Sequence, residues 1–95
     1  MANYIRQYAP NSDEVAKLAY ASAELTKRSR KGTAFYVDDC YFDLGQNWMW
    51  TTIIARRPNG DHWQALCPRD HEKILLSSDI PATVTEIMAD KYWYE

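Results

Sequence analysis

The segment 57–61, RPNGD, constrains the fold most, because it determines how two β-forming segments meet. It separates residues 48–57 (WMWTTIIARR) from a second β-forming segment that begins at His62. Pro58 suits the first central position of a type I turn, and Gly60 suits the left-handed position that follows it. The sequence therefore predicts an antiparallel hairpin here.

The same turn predicts the register of the hairpin. It sets Arg57 against Asp61, Ala55 against Trp63, Ile53 against Ala65 and Thr51 against Cys67. These pairs are mostly apolar, so we expect this face of the hairpin to contact a helix. A two-residue turn at Asn59-Gly60 is the alternative, and it would shift the register by one residue and exchange the two faces.

A helix is predicted before the hairpin. Asn11 and Glu14 have the spacing of a capping box, and Gly32 follows a basic last turn as a left-handed terminator would. Apolar and small residues recur at spacings of three and four, which predicts an inward-facing stripe. That stripe comprises Val15, Leu18, Ala19, Ser22 and Leu25.

The remaining segments complete an α+β fold. Residues 35–44 are β-forming, with a bulge or bend expected at Asp38 and Asp39. Asp70 is predicted to cap a short helix that runs to Leu76, and residues 82–94 have helical periodicity. The expected order is α-β-β-β-α-α, with a three-stranded antiparallel sheet and helices packed mainly on one face. We expect a single domain over residues 1–95, in which residues 1–10 form a flexible lead-in.

Charge and composition narrow the class of protein. The chain of 95 residues has a net charge of −2, which gives no overall attraction to nucleic acid or acidic membranes. No apolar segment approaches the about 18 residues of a membrane span, and no signal peptide is visible. We therefore expect a cytoplasmic protein without a membrane partner. Its thiols, Cys40 and Cys67, are expected to be reduced, and a disulfide would require them to lie on neighbouring strands.

The aromatic residues carry the leading functional hypothesis. Trp48 and Trp50 share one face of a regular strand, and helices on one side of a three-stranded sheet leave its other face open. We expect these residues to form an exposed apolar stripe with Ile54 and Leu66. Trp48, Trp50 and Trp93 are the predicted anchors, and charged residues form their rim: Asp38, Asp39, Arg56 and Arg57.

This pattern predicts a non-catalytic protein-binding module that occupies a surface on a larger partner. Small inhibitors, immunity-type proteins and phage accessory proteins act in this way. The first alternative is nucleic-acid binding through basic residues: Lys27, Arg28, Arg30, Lys31, Arg56 and Arg57. The second alternative is a structural homodimer in which two open sheet faces stack.

Metal and catalytic sites are not predicted. Asp38, Asp39 and Asp43 do not have the spacing of a calcium loop, and we expect them to form a solvated acidic edge. The histidines and cysteines lack the tight ligand pairs of zinc sites, and no hydrolase, phosphate-loop or dinucleotide motif is present. We therefore expect no enzyme activity, no metal and no cofactor.

Overall fold

The computed structural model describes residues 12–29, 31–42 and 48–89, and for residues 39–42 and 48–50 it describes the backbone alone. The elements are, in order, α1 (Ser12–Arg28), β1 (Ala34–Phe42), β2 (Trp48–Arg56), β3 (His62–Gln64), α2 (Pro68–Leu75) and α3 (Ile80–Ala89). The strands form an antiparallel sheet in the order β1-β2-β3. The predicted α+β fold and its element order are confirmed.

The predicted hairpin register is also confirmed. The Gly60 N–H donates to the Arg57 carbonyl over 2.9 Å, the Arg57 N–H donates to the Asp61 carbonyl over 2.8 Å, and Gly60 has φ of 99°. Ala55 pairs with Trp63, as the turn requires. The ladder of β3 ends at Gln64, so the predicted pair of Thr51 and Cys67 is not part of it, and Cys67 instead begins α2.

β1 has no bulge at its aspartates, so of the predicted bulge or bend the bulge was wrong. Asp38 pairs with Thr52 and Asp39 pairs with Thr51 in an unbroken one-to-one register. A bulge needs one extra residue on one strand, and none is present between these pairs. Because β1 lies at the edge of the sheet, the exposed Asp38 is accommodated without any break in the strand.

The core lies between the helices and one face of the sheet. β2 contributes Ile53 and Ala55 from alternate positions, and α1 contributes Leu18 and Leu25, all of them fully buried. One cluster contains buried residues from α1, α2, α3 and the sheet, so the helices cover this face, as predicted. The strand residues of the cluster are Phe35, Ile53 and Ala55.

The buried stripe of α1 is rotated from its predicted position. Leu18, Ser22 and Leu25 are buried as expected, whereas Val15 and Ala19 are exposed. Alanines line several sides of this helix, so the sequence pattern alone did not separate its inner face from its outer face. The predicted cap, Asn11, lies outside the described residues.

Both later helices begin differently from the prediction. Cys67 occupies the N-cap position of α2 and Pro68 follows at the start of the helix, so Asp70 lies inside the first turn and is not the cap. α3 begins at Ile80, and the Asp79 carboxylate accepts the Ala82 N–H over 3.2 Å. The predicted continuation of α3 beyond residue 89 lies outside the described residues.

Candidate functional site

Basic residues from two parts of the chain come together at one end of the protein. A Cβ atom placed on Gly32 would lie 3.4 Å from Pro58 Cγ, so the loop after α1 contacts the turn between β2 and β3. We call this region the hairpin end. Its basic residues are Lys27, Arg28, Lys31, Arg56 and Arg57. They include five of the six residues predicted for nucleic-acid binding, and Arg30 lies outside the described residues.

Arg57 stacks on Trp63 at the hairpin end. The guanidinium carbon lies 4.6 Å from the centroid of the Trp63 ring, within the range of a cation–π contact. Trp63 is half-buried and packs against the hydrophobic core, so the ring is held in place. The side chain of Arg57 is therefore positioned before any partner arrives. The sequence pattern placed Trp63 on the hairpin face expected to contact a helix, and this pair was missed, although the register made Arg57 and Trp63 diagonal neighbours on one face.

Glu24 partly neutralises the basic end of α1. Its carboxylate accepts a hydrogen bond from Arg28, and its Oε2 lies 3.4 Å from the ammonium group of Lys27. The hydrogen bond from Arg28 is the main reason that the pKa of the Glu24 carboxyl is lowered, with Lys27 adding to the effect against the opposing effect of burial. Two of the five cations therefore already interact with a carboxylate.

Ile54 does not belong to an exposed stripe, and that prediction was wrong. Ile54 is 8% exposed and its neighbour Thr52 is fully buried, so the middle of this sheet face is covered. Leu66, which was expected to extend the stripe, lies in the core cluster. The described exposed residues on this face include Arg56 and His62 in the cross-strand row next to the hairpin turn, and Asp38 on the edge strand β1.

The other predicted anchors are described only in part. Trp50 pairs with Cys40 and Trp48 pairs with Phe42 along the ladder of β1 and β2, while their side chains lie outside the described residues. Trp93 also lies outside them. Of the predicted acidic rim, Asp38 is exposed, whereas Asp39 is described through its backbone alone. The assignment of these residues to a binding surface stays a prediction.

His71 is a buried titratable group of α2 that contacts the sheet. It is 5% exposed, and a hydrogen bond joins it to the backbone of Thr51 in β2. Burial lowers the pKa of the imidazole, while this hydrogen bond and the charge of Glu14 oppose the shift. Its burial and its bond to β2 indicate a structural role.

The described part of the chain contains no cluster of three metal-ligating side chains. Asp43, one of the three acidic residues considered for a cation, lies outside it. The thiol of Cys67 is free and exposed. Within residues 12–29, 31–42 and 48–89, no helix is long and apolar enough to span a membrane.

Comparison with known proteins identifies no relative: no family model, no curated protein and no solved structure matches this chain.

Proposed function

We propose that this protein is a non-catalytic binding module that acts by occupying a surface on a larger protein, and that the hairpin end is part of its contact surface. The observation that supports the proposal is the stacking of Arg57 on Trp63. Arginine, tryptophan and tyrosine are the residues that most often contribute large energies to protein interfaces. An arginine held on an aromatic ring also loses less conformational entropy when it binds.

The chemistry of the hairpin end suggests the kind of protein it fits. Arg56 is exposed on the opposite face of the hairpin from Arg57, and Lys31 is exposed on the adjoining loop. Carboxylates on a partner would pair with these cations, and the planar guanidinium groups favour bidentate contacts. We propose a partner with an acidic surface patch and a cytoplasmic location for the complex.

Affinity capture with matched variants tests this proposal. The bait is the full chain as wild type, as Arg57→Ala and as Arg69→Ala, where Arg69 is an exposed arginine of α2. We expect a protein that is captured from a lysate of the encoding organism by wild type and Arg69→Ala but not by Arg57→Ala. If Arg57→Ala captures the same proteins in the same amounts, the hairpin end is not the contact surface.

The predicted aromatic anchors extend this proposal along β2. Replacing a true anchor with alanine typically costs about 2–4 kcal/mol of binding free energy. Trp50→Ala is therefore expected to weaken binding of the captured partner by a factor of at least about 30, as measured by calorimetry. A folded Trp50→Ala variant with unchanged affinity would remove Trp50 from the contact surface.

Nucleic-acid binding is the second candidate, and one observation favours it. The contact between Gly32 and Pro58 brings the loop that follows the basic end of α1 against the hairpin turn next to Arg56 and Arg57, and a phosphate-binding surface needs several cations in one region. The ion pairs of Glu24 with Lys27 and Arg28 count against it, because these two cations are not fully available to phosphate. This balance is why we rank the candidate second.

Salt dependence distinguishes the two candidates. Binding to phosphates weakens steeply between about 50 and 200 mM salt, because it releases condensed counterions. Labelled duplex DNA and duplex RNA are titrated with the protein at both salt concentrations. Affinity that falls steeply with salt and rises in a Glu24→Gln variant would support nucleic-acid binding. No measurable binding at the lower salt concentration would remove this candidate.

A further inference from the structure

The solvent-exposed face of α1 has the pattern of a helix–helix contact. Small residues are exposed along it at successive spacings of four, three, four and three, which is the spacing of the seam between paired helices. These residues are Ser12, Ala16, Ala19, Ala23 and Thr26. Side chains this small allow the backbone of a second helix to approach closely.

Larger apolar residues flank this row on both sides. Val15 is 39% exposed on one side and Tyr20 is 49% exposed on the other, and both are among the large hydrophobic residues exposed in the described part of the chain. An ordinary surface helix carries charged residues on its outer face. Here the charged side chains in the middle of α1 turn away from this face.

Two hydrogen bonds hold these charged side chains away from the exposed row. The Lys17 ammonium group donates to the Leu75 carbonyl over 2.7 Å, at the end of α2. Glu24 is buried and accepts a hydrogen bond from Arg28. The outer face of α1 between its first and last turns is therefore uncharged. We call this surface the α1 face, and it comprises Val15, Ala16, Ala19, Tyr20 and Ala23.

Charges at the two ends of the α1 face are complementary to each other. Asp13 is exposed in the first turn and Lys27 is exposed in the last turn, where its ammonium group also lies 3.4 Å from Glu24 Oε2, and each lies seven residues from Tyr20. If a second copy of α1 lies antiparallel with its centre beside Tyr20, Asp13 meets Lys27 of the partner subunit. The two-fold symmetry forms this ion pair twice.

We propose that two copies of this chain pair through their α1 faces as an antiparallel helix dimer. The antiparallel direction also aligns the helix dipoles favourably, whereas a parallel pair would place like charges together. The inference does not depend on the function proposed above, because the α1 face, taken with the charges at its two ends, shares only Lys27 with the hairpin end, at the point where they adjoin. One helix face per subunit is small for an interface, so the dimer dissociates in about the micromolar range.

Sedimentation velocity with matched alanine variants tests the position of the interface. The wild-type chain is measured from about 1 to 500 μM, a range that covers micromolar dissociation. Ala19→Gln places a larger neutral side chain at the centre of the α1 face, and Ala82→Gln makes the same change at an exposed position of α3. We expect Ala19→Gln to weaken the dimer by at least tenfold and Ala82→Gln to leave it unchanged.

Charge exchange tests the antiparallel direction. Asp13→Lys and Lys27→Asp each create a repulsion and are expected to weaken the dimer, by about twofold to fivefold for exposed charges. The double variant restores both ion pairs in exchanged form and regains wild-type affinity. The double variant carries the same two changes to the helix that the single variants carry separately. A regained dimer affinity therefore cannot be explained by a more stable helix.

Several results would overturn the proposal. One is a monomer at every concentration, which would mean that the α1 face does not bind a second copy of this chain. Another is a dimer that Ala19→Gln does not weaken, which would place the interface elsewhere, for example on the sheet. A double charge variant weaker than both single variants would exclude the antiparallel arrangement.

Discussion

The hydroxyl group of Thr26 binds both backbone groups of Phe35. The Phe35 N–H donates to Thr26 Oγ1 over 2.8 Å, and Thr26 Oγ1 donates to the Phe35 carbonyl over 3.2 Å. β1 is an edge strand of the described sheet, and these backbone groups of Phe35 bind Thr26 of α1. One side chain of α1 thus replaces a neighbouring strand and joins the helix to the sheet.

Removal of this hydroxyl group is expected to destabilise the protein. Thr26→Val keeps the shape of the side chain but leaves the Phe35 backbone without this partner, which costs about 1–3 kcal/mol of unfolding free energy. Thr85→Val is the control, because the Thr85 hydroxyl donates to the Pro81 carbonyl on an exposed helix surface. Urea denaturation of both variants measures the difference, and equal losses would contradict a special role for Thr26.

The cation–π contact is expected to contribute a small amount of stability. Arg57→Gln keeps a polar side chain but removes the charge above Trp63, which should lower the unfolding free energy by about 0.5–1 kcal/mol. Arg56→Gln is the matched control on the neighbouring exposed arginine. Denaturation followed by tryptophan fluorescence compares the two, and an equal effect would show that the stacking adds nothing.

Gly60 is required by its backbone conformation rather than by crowding. Its φ of 99° is unfavourable for other residues, while a Cβ atom there would meet nothing within 4 Å. Gly60→Ala is therefore expected to cost about 1–2 kcal/mol through backbone strain alone. Thermal and urea denaturation measure this loss. A neutral effect would mean that the turn changes its type to accommodate alanine.

His71 is expected to make stability depend on pH. Burial lowers its pKa, so the folded protein binds the proton less readily than the unfolded chain does. The unfolding free energy is thus highest above the ordinary histidine value of 6.5 and falls as the pH drops below it, until the lowered pKa of the folded state is reached. Acidification from about pH 7 to 5 should destabilise the wild-type chain.

Two variants test this assignment to His71. His71→Gln should flatten the dependence of unfolding free energy on pH, whatever it does to the absolute stability. His62→Gln removes the exposed histidine of the hairpin and provides the baseline. Urea denaturation at several pH values gives the profiles, and a slope that persists in His71→Gln would assign the effect to another group.

Glu24 should give a pH dependence of the same sign as His71, but at lower pH, because the pKa of its carboxyl is also lowered in the folded state. The hydrogen bond from Arg28 is the main cause of the lowered pKa of Glu24 in the folded state. The contribution of Glu24 to the unfolding free energy is therefore fully present above pH 4.5, and it is lost as the pH falls through the lowered pKa. Glu24→Gln is therefore expected to be less stable than wild type at neutral pH, and the difference should shrink in acid. Glu86→Gln, at an exposed position of α3, supplies the reference for denaturation at each pH.

Local features of the fold were predictable from the sequence. The hairpin register followed from Pro58 and Gly60, because a short turn determines which residues face each other. The element order followed from the change from helical to strand periodicity after Gly32. The start of α2 was missed because Pro68 at the first position competes with the more familiar acidic cap at Asp70.

The candidate site was less predictable, because it depends on contacts between distant segments. Ile54 has the sequence features of an exposed strand residue, yet it is only 8% exposed. Nothing in the sequence of β2 indicates that the side chain of Ile54 is covered. In α1, the alanines at positions 16, 19 and 23 fit either side of a helix, so only packing against the sheet shows that they face outward. The stacking of Arg57 on Trp63 followed from the register, but the role of Trp63 as a core residue concealed it.

The strands lie in the sheet in the same order as in the chain, and this has a consequence for how the protein assembles. Each strand joins the one made just before it, so no connection has to cross the sheet and strand pairing closes only short loops. Such a topology keeps the entropy lost in forming the sheet low. We therefore expect the sheet to form early in folding, before α1 packs against α2 and α3 from the far end of the chain.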